Sequence, residues 1–437
     1  MEFNSLLPVI VVLLGLLFMG APVAVALGGS GLLGLWLLLG ARGLDVAVQT
    51  AATSLNSFVL IAVPLFIAMG VFLAEGGIGE RLYNMFDAML RHIPGGVGIA
   101  TVLTCAVLAA MCGTSVAIAG MVGAFALKNM RRLGYSLPLS MGTVVGGGAL
   151  GMLIPPSLPM ILYGAIAQES VGKLFICGIG PGIVAVIFFC GWVYVAFRRE
   201  KGGKVAPPAS WSERWKAFKE GFWGLLIPLL IIVLLYWGVA TPTEIAALGC
   251  VISLFVTLVI YRSISIRNLI PVLRRALSSS VMILFIIVGA LILAKFVTQA
   301  GVARAVADIF VGQGIPTWGF LLITMAIILG LGCLMEGASL MLLLLPILIT
   351  TVHAYNYDPY VYGVLLVINI ECAMLTPPVG LNLYAVDGIA KAQGLPSTLG
   401  TAVRGSFPFL IGYLIVMILV AVFPETALWI PHHLFNF

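Results

Sequence analysis

Residues 6–20, 22–40, 174–197, 222–240 and 405–423 carry no charged side chain and are mostly aliphatic or aromatic. Each is close to the roughly 20 apolar residues that a helix needs to cross a hydrocarbon core. In lipid every backbone N–H and C=O must be satisfied within the protein, so a segment this long and this apolar is stable as a spanning helix. The rest of the chain agrees. Of its 437 residues 62% are hydrophobic and 9% charged, with a mean hydropathy of +1.18, which excludes a soluble domain and a disordered one. The fold class is an all-α polytopic membrane protein. The first apolar run follows MEFNS, without a basic n-region or a small-residue cleavage site, and reads as the first span rather than a removable signal.

Two stretches break the pattern. GMLIPPSLPM at 151–160 and AMLTPPVGLN at 373–382 each place two adjacent prolines inside an apolar run. Proline lacks the backbone donor, its ring clashes with the i−4 carbonyl, and it forces the preceding residue out of the helical region. Each pair therefore interrupts a helix and frees carbonyl groups, which survive at membrane depth only against protein or a polar cavity. The two pairs belong to a longer correspondence. Met111-Cys112-Gly113-Thr114-Ser115 matches Met335-Glu336-Gly337-Ala338-Ser339, Pro8 and Pro22 match Pro228 and Pro242, and Leu65-Phe66-Ile67 matches Leu284-Phe285-Ile286. This predicts an internal duplication, with repeats at 1–197 and 221–437 joined by the linker 198–220.

The linker carries seven Lys/Arg against three acids and reads as cytoplasmic by the positive-inside rule. Counting outward from it, the apolar stretch 95–126 has cytoplasmic-type charge at both ends. It is expected to be a re-entrant hairpin turning at Cys112-Gly113-Thr114-Ser115, followed by a broken helix at about 136–165. The first repeat then has an odd number of crossings, so the second inserts upside down. Its hairpin, about 317–353, enters from the periplasmic side, and its broken helix spans about 359–385. Both termini are expected in the periplasm. All basic residues except Arg42, Lys173, Lys295 and Arg304 fall on the cytoplasmic side of this arrangement, so the net charge of +6 reflects topology and no nucleic-acid partner is expected. Four connectors, near 41–57, 76–93, 263–277 and 298–313, mix Arg, Asp and Gln with spaced apolar residues and read as interfacial arms.

Each hairpin tip offers a second set of free backbone groups beside small residues. A tip packed against the matching break brings carbonyl and hydroxyl oxygens together near the midplane. That environment replaces the water shell of a small hard cation, and helix N-termini there face an anion. Two repeats predict two cation sites with a substrate between them. Glu336, on the second tip, either helps neutralise a cation or caps backbone donors. Glu371 reads as a packing or gating group more than as an ion ligand. The Gly146-Gly147-Gly148 run has no Lys in phosphate-loop spacing and fits close helix packing. The seven cysteines lie in apolar segments without metal-ligand spacing.

CGTSVA at 112–117, GMLIPPSLPMILYG at 151–164, the Met335–Ser339 tip and TPPVGLNLY at 376–384 together resemble the large membrane subunit of tripartite ATP-independent periplasmic (TRAP) transporters, along essentially the whole chain. The resemblance implies sodium-coupled import of an organic acid by an elevator movement of a transport domain against a scaffold. It implies a bacterial or archaeal cytoplasmic membrane, and two partners: a small four-helix membrane subunit, expected as a separate chain, and a periplasmic substrate-binding protein. It implies one sodium at Gly113, Thr114, Ser115, Gly151 and Pro155, and another at Glu336, Gly337, Ser339, Thr376 and Gly380. Many relatives carry aspartate on the second tip, where this chain has Glu336. Thr114, Ser115, Ser157, Ser339 and Asn382 are the candidate substrate contacts. Two other classes compete. An intramembrane enzyme needs a nucleophile and base at one depth, and no His or Asp pair offers this; a channel needs no delivering protein.

Overall fold

The computed structural model describes residues 3–200, 202–333 and 335–435. Among these the regular structure is helical, with no strand. The first part of the chain runs α1 (Phe3–Phe18), α2 (Val23–Leu39), α3 (Ala41–Leu55), α4 (Ala62–Glu75), α5 (Ile78–Leu90), α6 (Gly96–Cys112), α7 (Ser115–Arg132), α8 (Leu137–Leu153), α9 (Leu158–Ala167) and α10 (Val171–Arg198). After the linker come α11 (Trp211–Tyr236), α12 (Pro242–Phe255), α13 (Ile266–Gln299), α14 (Val302–Gly312), α15 (Thr317–Gly332), α16 (Gly337–Ala354), α17 (Pro359–Met374), α18 (Leu381–Ala392), α19 (Leu399–Val422) and α20 (Glu425–Phe435). Among the described residues seven stretches are long and apolar enough to cross a membrane, counting α8 with α9 as one, and α3 with α4 makes an eighth if that bent pair is a single span.

Local chemistry sets the helix starts. Ser210 and Thr241 open α11 and α12 with capping boxes, in which Glu213 and Glu244 reach back to the capping residue and satisfy otherwise orphaned N–H groups. Asp358 accepts from the N–H of Tyr360 (2.8 Å) and Val361 (2.9 Å) at the head of α17. The linker is held to the body by an Arg91–Glu213 ion pair at 3.3 Å.

One expected arm is not a separate element. In the first part, α3 ends at Leu55 and meets the helix beyond it at 62°. Of the expected arm 263–277, residues 266–277 instead continue into the following span as the 34-residue α13. By the correspondence of Leu65 with Leu284, Asn56-Ser57-Phe58 at the bend align with Arg275-Ala276-Leu277, which carry no turn residue, and the helix runs on through Ser280, whose Oγ donates back to the Ala276 carbonyl at 2.8 Å. Otherwise α1–α10 and α11–α19 run through the same order of elements, and α20 packs against α10.

The two parts interlock. α2 packs on α13, α4 on α12, and α5 on α11, while α8 is surrounded by α6, α7, α10, α17, α18 and α19. Small residues allow this close packing, since apolar burial alone does not drive helices together in lipid. A Cβ on Gly142 would lie 2.0 Å from the Gly405 carbonyl oxygen, so α8 and α19 touch backbone to backbone. In the Gly146–Gly148 run, Gly146 faces Phe409 and Gly148 faces Ala119. Across the parts, Tyr163 on α9 donates to the Pro359 carbonyl at 2.5 Å, and Gln393, just past α18, donates to the carbonyls of Gly123 (3.1 Å) and Ala124 (2.8 Å) on α7.

Candidate functional site

The first tip lies between α6 and α7. Gly113 adopts φ 63°, in the left-handed region, and Thr114 is extended before α7 begins at Ser115. This tip sits directly on the break between α8 and α9. A Cβ on Gly113 would lie 3.2 Å from the Leu158 nitrogen and 3.3 Å from the Pro156 carbonyl oxygen; one on Gly151 would lie 2.9 Å from the Thr114 carbonyl carbon and oxygen. Gly113, Thr114 and Gly151 are thereby brought together beside the buried, cis Pro155–Pro156 pair. The break satisfies part of its own backbone, because the Ser157 hydroxyl donates to the Met152 carbonyl. Ser115 Oγ, by contrast, is buried and has no hydrogen-bond partner.

The second tip is built differently. Glu336 is the N-cap of α16, and its carboxylate accepts from the Ser339 N–H (3.2 Å) and the Ser339 hydroxyl (3.3 Å). A Cβ on Gly337 would lie 2.5 Å from Ile370 Cγ2 and 3.1 Å from Met152 Cε, so this tip rests on α17 and on the end of α8. At the second break, Thr376 donates to the Cys372 carbonyl at 2.6 Å, and a Cβ on Gly380 (φ 50°) would lie 3.0 Å from the Thr376 carbonyl oxygen. Glu336 and Ser339 are thus bonded together at the tip, beside Gly337, and Thr376 and Gly380 meet at the break.

A cavity of about 520 Å³ opens between the tips and α13. Thr114, Ser115, Met152, Ser279, Glu336 and Met374 are among its lining residues. A smaller cavity of about 270 Å³ shares Thr114 and Ser279 and reaches Gly70 and Cys112. Of the candidate substrate contacts, Thr114 and Ser115 line the larger cavity, whereas Ser157, Ser339 and Asn382 lie behind its surface, each 0% exposed. Asn382 is buried with both amide atoms unpartnered. Ser279 was missed from sequence; its signal was three consecutive serines in an otherwise apolar segment.

Glu371 on α17 is also 0% exposed, and neither carboxylate oxygen has a hydrogen-bond partner of regular geometry. It faces Ser115 and the Met152 backbone, and lies within electrostatic reach of Glu336. The cavity is therefore lined by the hydroxyl-bearing residues Thr114, Ser115 and Ser279, by Glu336 and by the positive N-terminal ends of α7 and α16, with Glu371 buried behind it. Among the described residues no group of three or more His, Cys, Asp or Glu could hold a transition metal. The chemistry present suits hard cations and an anion, with no nucleophile–base pair.

The chain is similar to known proteins of one family. Residues 10–426 match the family described as "Tripartite ATP-independent periplasmic transporter, DctM component". The chain is 35% identical over 409 residues to the C4-dicarboxylate TRAP transporter large permease protein DctM of Pseudomonas aeruginosa, covering 94% of each chain. It is 32% identical over 418 residues to the sialic acid TRAP transporter large permease protein SiaM of Vibrio cholerae, covering 96% of each. The crystal structure of the Alcanivorax borkumensis YdaH transporter superposes with a TM-score of 0.63 over 90% of both chains at 15% identity, a likeness of fold alone. The relatives are permeases, and this chain is a multi-pass membrane transporter, not an enzyme. It belongs to the DctM component family of tripartite ATP-independent periplasmic transporters, as a large membrane subunit.

Proposed function

We propose that the chain carries an organic acid anion across the cytoplasmic membrane together with sodium, in an assembly with a small membrane subunit and a periplasmic binding protein. The relatives' substrates, C4-dicarboxylates and sialic acid, are carboxylates, and the cavity between two helix N-termini suits a carboxylate. The single observation that carries the sodium reading is the first tip seated on the first break, with the Thr114 carbonyl against Gly151 and a buried Ser115 hydroxyl left without a partner. Oxygen dipoles held this way can replace the hydration shell of a hard cation. At the second tip Glu336 adds a carboxylate, already held by Ser339.

The recurring order of elements, the cross-packing of α2 on α13 and α12 on α4, and the compact group around α8 support two oppositely inserted repeats. On this reading the group around α8 moves as a transport domain against a scaffold of α1, α2, α11, α12 and α13, with both termini periplasmic. Uptake into proteoliposomes containing this chain and both partner proteins tests the coupling. Uptake should require an inward sodium gradient; equal rates with potassium in place of sodium exclude it.

A further inference from the structure

We infer that Glu371 is a ligand of the first cation site, so that the second half of the chain supplies the counter-charge for an ion held by the first. The inference rests on the sodium-coupled reading and names a residue that reading does not use.

The argument begins with what the first tip lacks. At the second tip, Glu336 stands directly before Gly337 and its carboxylate holds Ser339. The matching position of the first tip is Cys112, and Ser115, which matches Ser339, has no partner. A cation bound by neutral dipoles alone keeps its full charge in a low-dielectric interior, which is costly unless a counter-charge stands close by. Glu371 is the group in position to provide one. It is fully buried, both its oxygens lack a regular hydrogen bond, and it faces the same Ser115 hydroxyl and the Met152 backbone beside Gly151. The Ser115 hydroxyl and the Glu371 carboxylate therefore adjoin one another, both buried and neither in a hydrogen bond of regular geometry. With the Thr114 carbonyl at Gly151 they form an oxygen set of the kind a sodium ion takes.

The acid belongs to one half only. The offset of 222 that relates Pro155 to Pro377 places Ala149 opposite Glu371. Glu371 is also next in sequence to Ile370, the residue under Gly337 of the second tip. An ion drawn to Glu371 therefore steadies the helix on which the second tip rests, so the two ions should bind with coupled affinities.

The test is a sodium titration of the purified full-length chain at constant ionic strength, with choline as the replacement cation, read as the unfolding temperature. Wild type should be stabilised by sodium, and the midpoint of that titration should rise about tenfold or more in Glu371→Gln, the scale of losing a charge at close range in a partly screened interior. In choline alone Glu371→Gln should be close to wild type in stability, because it exchanges one buried polar group for another of nearly the same shape. Should Glu371→Gln fail to fold, Glu371→Asp, which keeps the charge on a shorter stem, should fold and show a smaller rise. An unchanged midpoint in either variant beside a sodium-stabilised wild type overturns the assignment of Glu371 alone. A wild type indifferent to sodium removes the sodium reading and this inference together.

Discussion

The two hairpin tips share a Gly-x-Ser core yet solve the same problem differently. The second is self-contained: Glu336 caps α16 and engages both the N–H and the hydroxyl of Ser339. The first is open: Thr114 caps α7 with no side-chain hydrogen bond, Ser115 makes no hydrogen bond of regular geometry, and the acid it faces, Glu371, comes from a helix more than 250 residues away in sequence. The breaks differ in the same sense. Ser157 ties down the Met152 carbonyl at the first, where the second has Val379 at the matching position and uses Thr376 one turn earlier. The two tips thus share their backbone features and differ in the side chains that stand beside them.

The comparison breaks most sharply at the seat of the first tip. Gly151→Val puts a branched side chain where a Cβ already meets the Thr114 carbonyl at 2.9 Å. Uptake should be abolished, with a loss of about 1–3 kcal/mol in folding stability from overpacking. Ala373, the matching position, already carries a Cβ, so Ala373→Val should leave measurable uptake; equal loss in both would erase the distinction between the tips. Next in size, Ser115→Ala should weaken sodium-dependent stabilisation by roughly fivefold, on the order of the 1 kcal/mol of a typical hydrogen bond. Ser339→Ala should weaken it less, because Glu336 keeps its bond to the N–H of residue 339. A larger effect at Ser339 reverses the assignment of open and closed tips.

Glu336→Ala removes an N-cap and should lower folding stability by about 0.5–2 kcal/mol even in the absence of sodium, measured by thermal unfolding in choline. Cys112→Ala, at the equivalent place in the first tip, should be nearly silent there. Ser157→Ala leaves the Met152 carbonyl without its donor. It should cost about 1 kcal/mol of stability and leave the sodium midpoint unchanged; a shifted midpoint makes Ser157 part of the cation site instead.

Much of this was legible in the chain. Apolar length marks the spans, and the proline pairs stop α8 at Leu153 and α17 at Met374, because the missing donor and the ring clash act on the nearest turn whatever surrounds them. Gly113 and Gly380 take positive φ at the points where chain must meet chain. The continuity of α13 was harder to read, since serine is neither a reliable breaker nor a strong helix former and its hydroxyl's choice of the i−4 carbonyl depends on context. Glu336 illustrates an open pair of roles: the carboxylate caps the helix, and that cap holds its charge at the tip.

Sequence alone determined the membrane class, the positions of the breaks and tips, and the family, because these follow from local backbone chemistry and from residues adjacent in the chain. Only the tertiary structure decided which oxygens are free to serve an ion. Whether Ser157 points at Met152, whether Ser279 reaches a cavity, and whether Glu371 faces Ser115 are set by the rotation of each helix about its axis and by packing between α8, α13 and α17. No periodicity within a single helix encodes that angle.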